Sequence, residues 1–289
     1  MRGLPALHRE VEALRREVRA LRTALVEPRA SLLGALRRRG ILLARADAPE
    51  GLLFPPTLSA ARQRRLYEQL KRYSFRLFLR DLITHQETLR PETVTRFCSP
   101  EAVARYFRFL EECGIVRRGR GGAIRLKQGK VFSFGPTLEW LVAQILAREF
   151  GAPALWGCRL LDLGEGGDYD VLSLVEGSLL YVEVKSSPPK HIEGEEVTAF
   201  LTRVHELMPN LAIFLVDTEL RMQDKLVGLF EEALARRHDT GRARPRRPPA
   251  VTRLLNETFV LEGSVFLTNT RPSLVQALGT CLRAHFGRR

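Results

Sequence analysis

Two runs of strand-forming residues separated by a two-residue turn constrain the fold of this 289-residue chain more than any other feature. The runs YDVLSLV (169–175) and SLLYVEVKS (178–186) flank Glu176 and Gly177, and a connection of this length is typical of a β-hairpin. Most positions in both runs are apolar, which indicates strands that are buried inside a sheet. The sequence therefore predicts an antiparallel hairpin in the core of the fold.

Charged residues interrupt this apolar hairpin. If the hairpin is symmetric about its turn, Asp170 lies opposite Glu183 and Asp168 lies opposite Lys185, all on one face of the sheet. Neighbouring buried carboxylates repel each other and resist ionisation, and a hard divalent cation relieves that repulsion because it takes oxygen ligands. A lysine beside them could orient or deprotonate a water molecule, or stabilise charge on a phosphate under attack.

This arrangement resembles the PD-(D/E)XK nuclease superfamily, the fold of many restriction enzymes. The resemblance rests on Asp170, on the 13-residue interval to Glu183, on the Glu183-Val184-Lys185 tripeptide and on the preceding helix GPTLEWLVAQIL. It implies that Asp170 and Glu183 are metal ligands, with the Val184 carbonyl as a third ligand, and that Lys185 is the catalytic lysine. It also implies that Glu139, in the preceding helix, is a metal ligand or a base, and that the cofactor is Mg²⁺ or Mn²⁺.

The resemblance covers about residues 132–217 and leaves residues 1–131 outside it. Tyr169 stands where the superfamily motif has a proline, which weakens the motif more than the mechanism. Asp168 is expected to support Lys185, although it could also be a surface acid at the end of the hairpin. Glu139 could equally be an exposed helix residue.

The segments around the hairpin predict an α/β domain over residues 132–289, in which helices flank a mixed sheet. The resemblance implies that this sheet is restriction-endonuclease-like. The pattern predicts helices over 136–150, 194–208 and 219–237, strands over 158–163 and 211–217, one or two strands in NETFVLEGSVFLTNT and a closing helix in PSLVQALGTCLRAHF. Proline, glycine and arginine dominate residues 237–250, which are predicted to form a mobile basic loop.

Positive charge is concentrated in the N-terminal part of the chain. Residues 1–130 contain 28 Lys+Arg and 13 Asp+Glu, a net charge of +15, whereas residues 131–289 contain 18 and 20, a net charge of −2. A basic surface of this kind favours a nucleic-acid partner. We expect DNA more than RNA.

Residues 57–131 resemble a winged helix-turn-helix. A helical pattern runs from 57 to about 86, further helix starts follow at Pro91 and Ser99, and the last helix ends at Gly114 before a glycine-rich hairpin pattern, IVRRGRGGAIRL. The residues expected to contact nucleic acid are Arg105 and Arg108 on the recognition helix and Arg117, Arg118 and Arg120 on the wing. Winged helices also serve as protein-docking or dimerisation modules.

The first 27 residues carry an apolar heptad seam, and residues 28–56 read as a connector with some helix. The seam consists of Leu4, Leu7, Val11, Leu14, Val18, Leu21 and Leu25. Valine at the a positions and leucine at the d positions favours a two-stranded parallel coiled coil, so we expect a homodimer. The alternative is an amphipathic helix that packs on its own chain.

We therefore expect a divalent-metal-dependent nuclease, whose cellular role by analogy would be defence or repair. A non-catalytic DNA-binding regulator and a nuclease subunit of a larger complex remain alternatives. The chain contains no GxxxxGK[ST] phosphate-binding motif and no apolar run of about 20 residues, so we expect neither ATP binding nor a membrane span. The scattered cysteines, Cys98, Cys113, Cys158 and Cys281, indicate reduced thiols of a cytoplasmic protein.

Overall fold

The computed structural model describes residues 11–17, 29–55, 57–119, 123–161, 163, 168–239, 251–261 and 263–287, with backbone only for 237–239. The predicted coiled coil falls largely outside these residues, and its described part, 11–17, is helical. The predicted loop 237–250 also lies outside them, except for the helical backbone of 237–239. Dimerisation through the heptad seam stays a prediction.

Helices and strands are interspersed along the described chain, with several runs of consecutive helices or consecutive strands. The strands are β1 (Leu42–Arg45), β2 (Val116–Arg118), β3 (Ile124–Leu126), β4 (Ala154–Leu161), β5 (Asp168–Val175), β6 (Ser178–Lys185), β7 (Leu211–Val216), β8 (Thr252–Leu255), β9 (Thr258–Leu261) and β10 (Val265–Asn269). The helices are α1 (Ala60–Leu70), α2 (Tyr73–Thr84), α3 (Pro100–Cys113), α4 (Gly135–Glu149), α5 (Gly194–Leu207), α6 (Gly228–Asp239) and α7 (Leu274–Phe286). None of the helices in the described part of the chain has the length and apolar character that a membrane-spanning helix needs.

Eight strands form one mixed sheet in the order β1-β4-β5-β6-β7-β10-β9-β8. The three central strands β6, β7 and β10 are parallel, and the remaining neighbours are antiparallel. Strands β2 and β3 pair separately as a small hairpin. The mixed sheet with its flanking helices confirms the predicted α/β class.

The hairpin formed by β5 and β6 has the register that its sequence predicts. Val175 pairs with Ser178, and the ladder continues to the pair Val171 and Val182. Both turn residues, Glu176 (φ 47°) and Gly177 (φ 76°), adopt the left-handed backbone that a two-residue type I′ turn requires. Glycine takes this conformation without the steric penalty of a Cβ atom.

The sheet separates two hydrophobic cores. Helices α1 to α4 and α7 cover one face, where Phe78 and Leu141 pack in the same core as Val182 of β6. The helical residues 29–38, α5 and α6 cover the other face, where Phe200 of α5 is buried. The helices of the winged-helix-like region therefore share a core with the sheet.

The segment predicted as a connector contributes to the sheet. Strand β1 pairs with β4 and forms one edge of the eight-stranded sheet, and Leu32 and Leu36 of the preceding helical residues are buried beneath it. A four-residue strand is too short to show a clear alternation of apolar and polar residues, so the sequence pattern did not predict it.

The order of elements in residues 57–131 differs in part from the sequence prediction. The first helical stretch is divided into α1 and α2 at Lys71 and Arg72, and the start predicted at Pro91 is a single 3₁₀ turn. Helix α3 does begin after the N-cap Ser99 and ends at Gly114, which has φ 76°. Whether this region acts as a winged helix stays a prediction.

Candidate active site

The open end of the β5–β6 hairpin brings together the acidic residues that the sequence singled out. Beyond the pair Val171 and Val182, the backbone N–H of Val184 donates a hydrogen bond of 2.7 Å to Oδ2 of Asp170. The Asp170 side chain thus accepts a hydrogen bond from a backbone amide of β6. Asp170 is held beside the residue whose carbonyl was predicted to be a metal ligand.

An irregularity in β4 and β5 redirects side chains at this end of the sheet. The ladder pairs Trp156 with Val171 and Cys158 with Tyr169, and Gly157 between them has φ 54°. Tyr169 packs in the core beneath α5, whereas Val171 packs in the core beneath α4. The pairing register is the same on both sides of Gly157, so the switch of side-chain faces accompanies its left-handed backbone and involves no inserted residue.

Glu139 reaches the same place from α4. Its Oε2 lies 3.7 Å from the position that a Cβ atom would occupy on Gly157, and the carboxylate accepts a hydrogen bond from the Gly157 backbone N–H. Burial, followed by the negative charges of Glu183 and Asp168, raises the pKa of Glu139 to about 7, against the opposing effect of the Gly157 hydrogen bond. Glu139 is therefore a partly buried member of the cluster, not an exposed helix residue.

Glu183 is 3% exposed and has three side-chain partners. The Tyr181 hydroxyl donates a short hydrogen bond to its Oε2. Nη1 of Arg203, from α5, lies 3.3 Å from Oε1 and 3.2 Å from Oε2, and Nζ of Lys185 lies 3.0 Å from Oε1. Neither Tyr181 nor Arg203 was predicted from the sequence to contact Glu183. The two-residue spacing from Tyr181 to Glu183 on one strand was a usable signal, but nothing near Glu183 in the sequence pointed to Arg203.

Lys185 lies between two carboxylates. Its Nζ is 3.0 Å from Oε1 of Glu183 and 2.9 Å from Oε2 of Glu196, in the first turn of α5. Burial disfavours the ammonium form, but the two carboxylates outweigh it and raise the pKa of Lys185. Glu196 also accepts a hydrogen bond from the backbone N–H of Glu193 in a capping box, so it both caps the start of α5 and contacts Lys185.

Asp168 lies farther out on β5. It pairs with Arg159 of β4, and its Oδ2 is 3.9 Å from Nη2 of Arg45, with both side chains about half exposed. The acid that contacts Lys185 in addition to Glu183 is thus Glu196, whereas the expected support of Lys185 by Asp168 stays a prediction.

The electrostatics of Asp170 bear on the predicted metal. Burial, then the charges of Glu183 and Glu139, raises its pKa well above the ordinary range, although the Val184 N–H and Lys185 act in the opposite direction. Carboxylates that repel one another in this way are oxygen donors suited to a hard divalent cation. Within the described residues, no three His, Cys, Asp or Glu side chains already form a metal-binding group, and Glu183 is turned towards cationic partners.

Four of the five arginines predicted to contact nucleic acid lie on α3 and β2. Arg105 and Arg108 are exposed on α3, and Arg117 and Arg118 are exposed on β2. The Arg118 guanidinium forms an ion pair with Glu111 of α3. The fifth candidate, Arg120, lies outside the described residues.

Comparisons with known proteins leave the family open. No family model and no curated protein matches the chain. Protein VC1899 from Vibrio cholerae has a similar solved structure, with 17% identity and a TM-score of 0.44 over 62% of this chain and 52% of that one. Can2 from Sulfobacillus thermosulfidooxidans, solved in complex with cyclic tetra-adenylate, gives 14% identity and a TM-score of 0.39 over 64% and 51%.

The matched region corresponds to about half the length of each of these two proteins. Because both TM-scores are below 0.5, the chemistry has to be inferred from the residues of this chain. The resemblance to the PD-(D/E)XK superfamily stays a prediction.

Proposed function

We propose that this chain is a divalent-metal-dependent nuclease that hydrolyses phosphodiester bonds, with DNA preferred over RNA. The observation that supports this proposal is the convergence of Glu139, Asp170 and Glu183, from three different elements, on the end of the hairpin where Lys185 lies. Clustered buried carboxylates oppose one another's ionisation, and such perturbed groups concentrate at functional sites.

Each member of the cluster has a distinct part in this proposal. Asp170, Glu139 and the Val184 carbonyl would hold Mg²⁺ or Mn²⁺, and Glu183 would contribute an oxygen by exchanging one of its present partners. The bound cation would supply Lewis-acid chemistry and a water molecule of lowered pKa. Lys185 would act as an ammonium group that stabilises negative charge on the phosphate, because its raised pKa argues against a role as a proton acceptor.

The basic helical region would position the substrate. Residues 1–130 have a net charge of +15, and Arg105, Arg108, Arg117 and Arg118 are exposed. Contacts between such cations and phosphates bind nucleic acid without reading its sequence. A dimer formed through the heptad seam would bring two such centres together.

The test is a cleavage assay on the purified full chain with single- and double-stranded DNA and RNA, in Mg²⁺ or Mn²⁺ and in excess EDTA. Cleavage should require the metal and should be abolished by Glu183→Gln and by Lys185→Met. Glu176→Gln, at the exposed turn of the same hairpin, is the control and should cleave normally. Thermal melts establish that the variants are folded.

Two results would contradict the proposal. One is undiminished cleavage in EDTA, and the other is wild-type cleavage by both folded variants. Salt-dependent DNA binding without any cleavage would instead favour the non-catalytic regulator.

A further inference from the structure

A pocket of about 870 Å³ opens beside the candidate active site. Its walls are α2, residues 96–97 before α3, the loop after β6 (186–191) and the loop after β7 (218–225). Ser186, at its edge, directly follows Lys185, and the backbone N–H of Asp217 donates to the Lys185 carbonyl at 2.8 Å, so the two strand ends are joined. Ligands of open α/β sheets commonly bind outside the carboxyl ends of parallel strands, which is where this pocket lies.

The charged side chains of the pocket are predominantly basic. Its cations are Arg80, Arg96, Lys190, Arg221 and Lys225, and its acids are Asp81, Glu219 and Asp224. Asp81 is buried and accepts a hydrogen bond from a backbone N–H, which leaves it little exposed to a ligand. Across the described part of the chain, Arg96 and Lys190 form no ion pair, so their charges are available to an anion.

An aromatic side chain lies next to one of these cations. Phe97 is 44% exposed, and the guanidinium carbon of Arg96 is 5.0 Å from the centroid of its ring. Tyr73 lines the same pocket, as does Leu220, which is also exposed. Exposed aromatic rings beside cations suit a ligand that has both flat bases and phosphates, since bases stack on the ring and phosphates contact the cation.

We propose that this pocket binds a short single-stranded segment of nucleic acid, with a base on Phe97 and phosphates on Arg96 and Lys190, and leads that strand to Lys185. The pocket has the volume of a small-molecule site, so it admits individual nucleotides rather than a duplex. That the bound strand is the substrate rests on the proposed nuclease function. The enzyme should then prefer single-stranded substrates or frayed duplex ends.

A matched pair of residues elsewhere in the chain provides the control. Phe132 is 85% exposed, and the guanidinium carbon of the exposed Arg148 lies 4.6 Å from the ring centroid of Tyr67. Phe132 and Arg148 both lie outside the basic residues 1–130, and neither lines the pocket. Phe97→Ala and Arg96→Ala are therefore compared with Phe132→Ala and Arg148→Ala. Each comparison removes the same kind of side chain, an exposed phenylalanine or an exposed arginine beside an aromatic ring.

The experiment measures fluorescence anisotropy of labelled oligo(dT), oligo(rU) and a DNA duplex with the full chain in EDTA, where cleavage does not intervene. Phe97→Ala and Arg96→Ala should each weaken single-strand binding about tenfold, the effect expected for the loss of one stacked base or one phosphate contact. Duplex binding should change much less, and the two control variants should bind like the wild type. Comparison of oligo(dT) with oligo(rU) establishes which sugar is preferred.

Equal binding of oligo(dT) by the pocket variants and their controls would overturn the inference. Competition by free AMP at the concentration at which unlabelled oligo(dT) competes would also overturn it, because the site would then recognise a nucleotide and not a strand. Metal-dependent cleavage that is lost in Glu183→Gln but unaffected by Phe97→Ala would support the nuclease proposal and would refute strand binding in the pocket. Single-strand binding that depends on Phe97, in a protein that shows no cleavage, would support the pocket and refute the nuclease proposal.

Discussion

Nη1 of Arg203 lies 3.2 Å from Oε2 of Glu183, so a helix on one face of the sheet holds a buried carboxylate of the central hairpin. The contact joins α5 to β6 across 20 residues of sequence. It also places a guanidinium against the one carboxylate of the cluster that Lys185 contacts. Arg203 is thus a positioning residue for the candidate site, since it contacts the acid and no reacting group.

Arg203→Met should destabilise the protein by about 2–3 kcal/mol, because it removes one partner of a buried ion pair while Lys185 and Tyr181 still contact Glu183. Urea denaturation measures the loss. The loss should be smaller in a Glu183→Gln background, where no buried charge is left behind. Arg236→Met, which breaks an exposed ion pair on α6, is the control and should cost less than about 1 kcal/mol. Equal losses of stability in the two backgrounds would contradict an interaction between Arg203 and Glu183.

Glu139 should make the metal-free protein less stable as the pH rises. Its pKa is about 7 in the folded protein against 4.5 ordinarily, so between these values the folded chain retains a proton that the unfolded chain releases. The free energy of unfolding should fall over this range by at most about 3 kcal/mol. Glu139→Gln should remove that fall when urea denaturation in EDTA is repeated from pH 4 to pH 8. If the stability of Glu139→Gln fell with pH in parallel with the wild type, the loss could not be attributed to Glu139.

Divalent metal should stabilise the folded protein through the same carboxylates. A cation that binds only the folded state adds about 2.7 kcal/mol at a concentration 100 times its dissociation constant. Differential scanning fluorimetry should show a Mg²⁺- or Mn²⁺-dependent rise in Tm for the wild type and a much smaller one for Asp170→Asn. Asp224→Asn, which changes an exposed acid, should respond like the wild type. A rise of the same size in all three proteins would indicate metal binding elsewhere.

Asp217→Asn should be one of the most destabilising single substitutions. The carboxylate is fully buried, accepts hydrogen bonds of 2.8–3.0 Å from Arg76 of α2, and also contacts Arg80. Burial alone would raise its pKa, but the two guanidinium groups outweigh burial and lower it. Removing the charge should cost about 3–5 kcal/mol at pH 7.

The sign of the pH dependence at Asp217 follows from the lowered pKa. The stabilisation is present above the ordinary aspartate range and is lost as the pH falls through the lower folded-state value. Acid titration of thermal stability should therefore show a steeper loss for the wild type than for Asp217→Asn. Parallel acid profiles would argue against an ionised, arginine-held carboxylate.

The exposed arginines of α3 should contribute to the salt dependence of DNA binding. Replacing Arg105 and Arg108 together with alanine should reduce the slope of log affinity against log salt concentration by about 1–2, since each neutralised phosphate contributes about 0.9. Arg37 and Arg38 are also exposed and belong to the helical residues that cover the opposite face of the sheet. Their double alanine variant removes the same charge, so an equal reduction in slope would exclude a specific surface on α3.

Short-range information was sufficient for several elements. Glu176 and Gly177 determine the turn, the turn determines the register, and the register brings Asp170 and Glu183 to the same end of the hairpin. Ser99 and the left-handed Gly114 mark the two ends of α3 for the same reason, because a cap satisfies backbone groups within a few residues.

The sequence by itself determined the α/β class, the hairpin register and the approach of Asp170 to the end of the hairpin that carries Glu183, since turns, caps and strand alternation act over a few residues. Only the tertiary structure decided that β1 forms a sheet edge. It also decided three contacts: Arg203 with Glu183, Glu196 with Lys185, and Arg76 with Asp217. These contacts join elements far apart in the chain. Their geometry depends on how the helices pack on each face of the sheet, which no local pattern specifies.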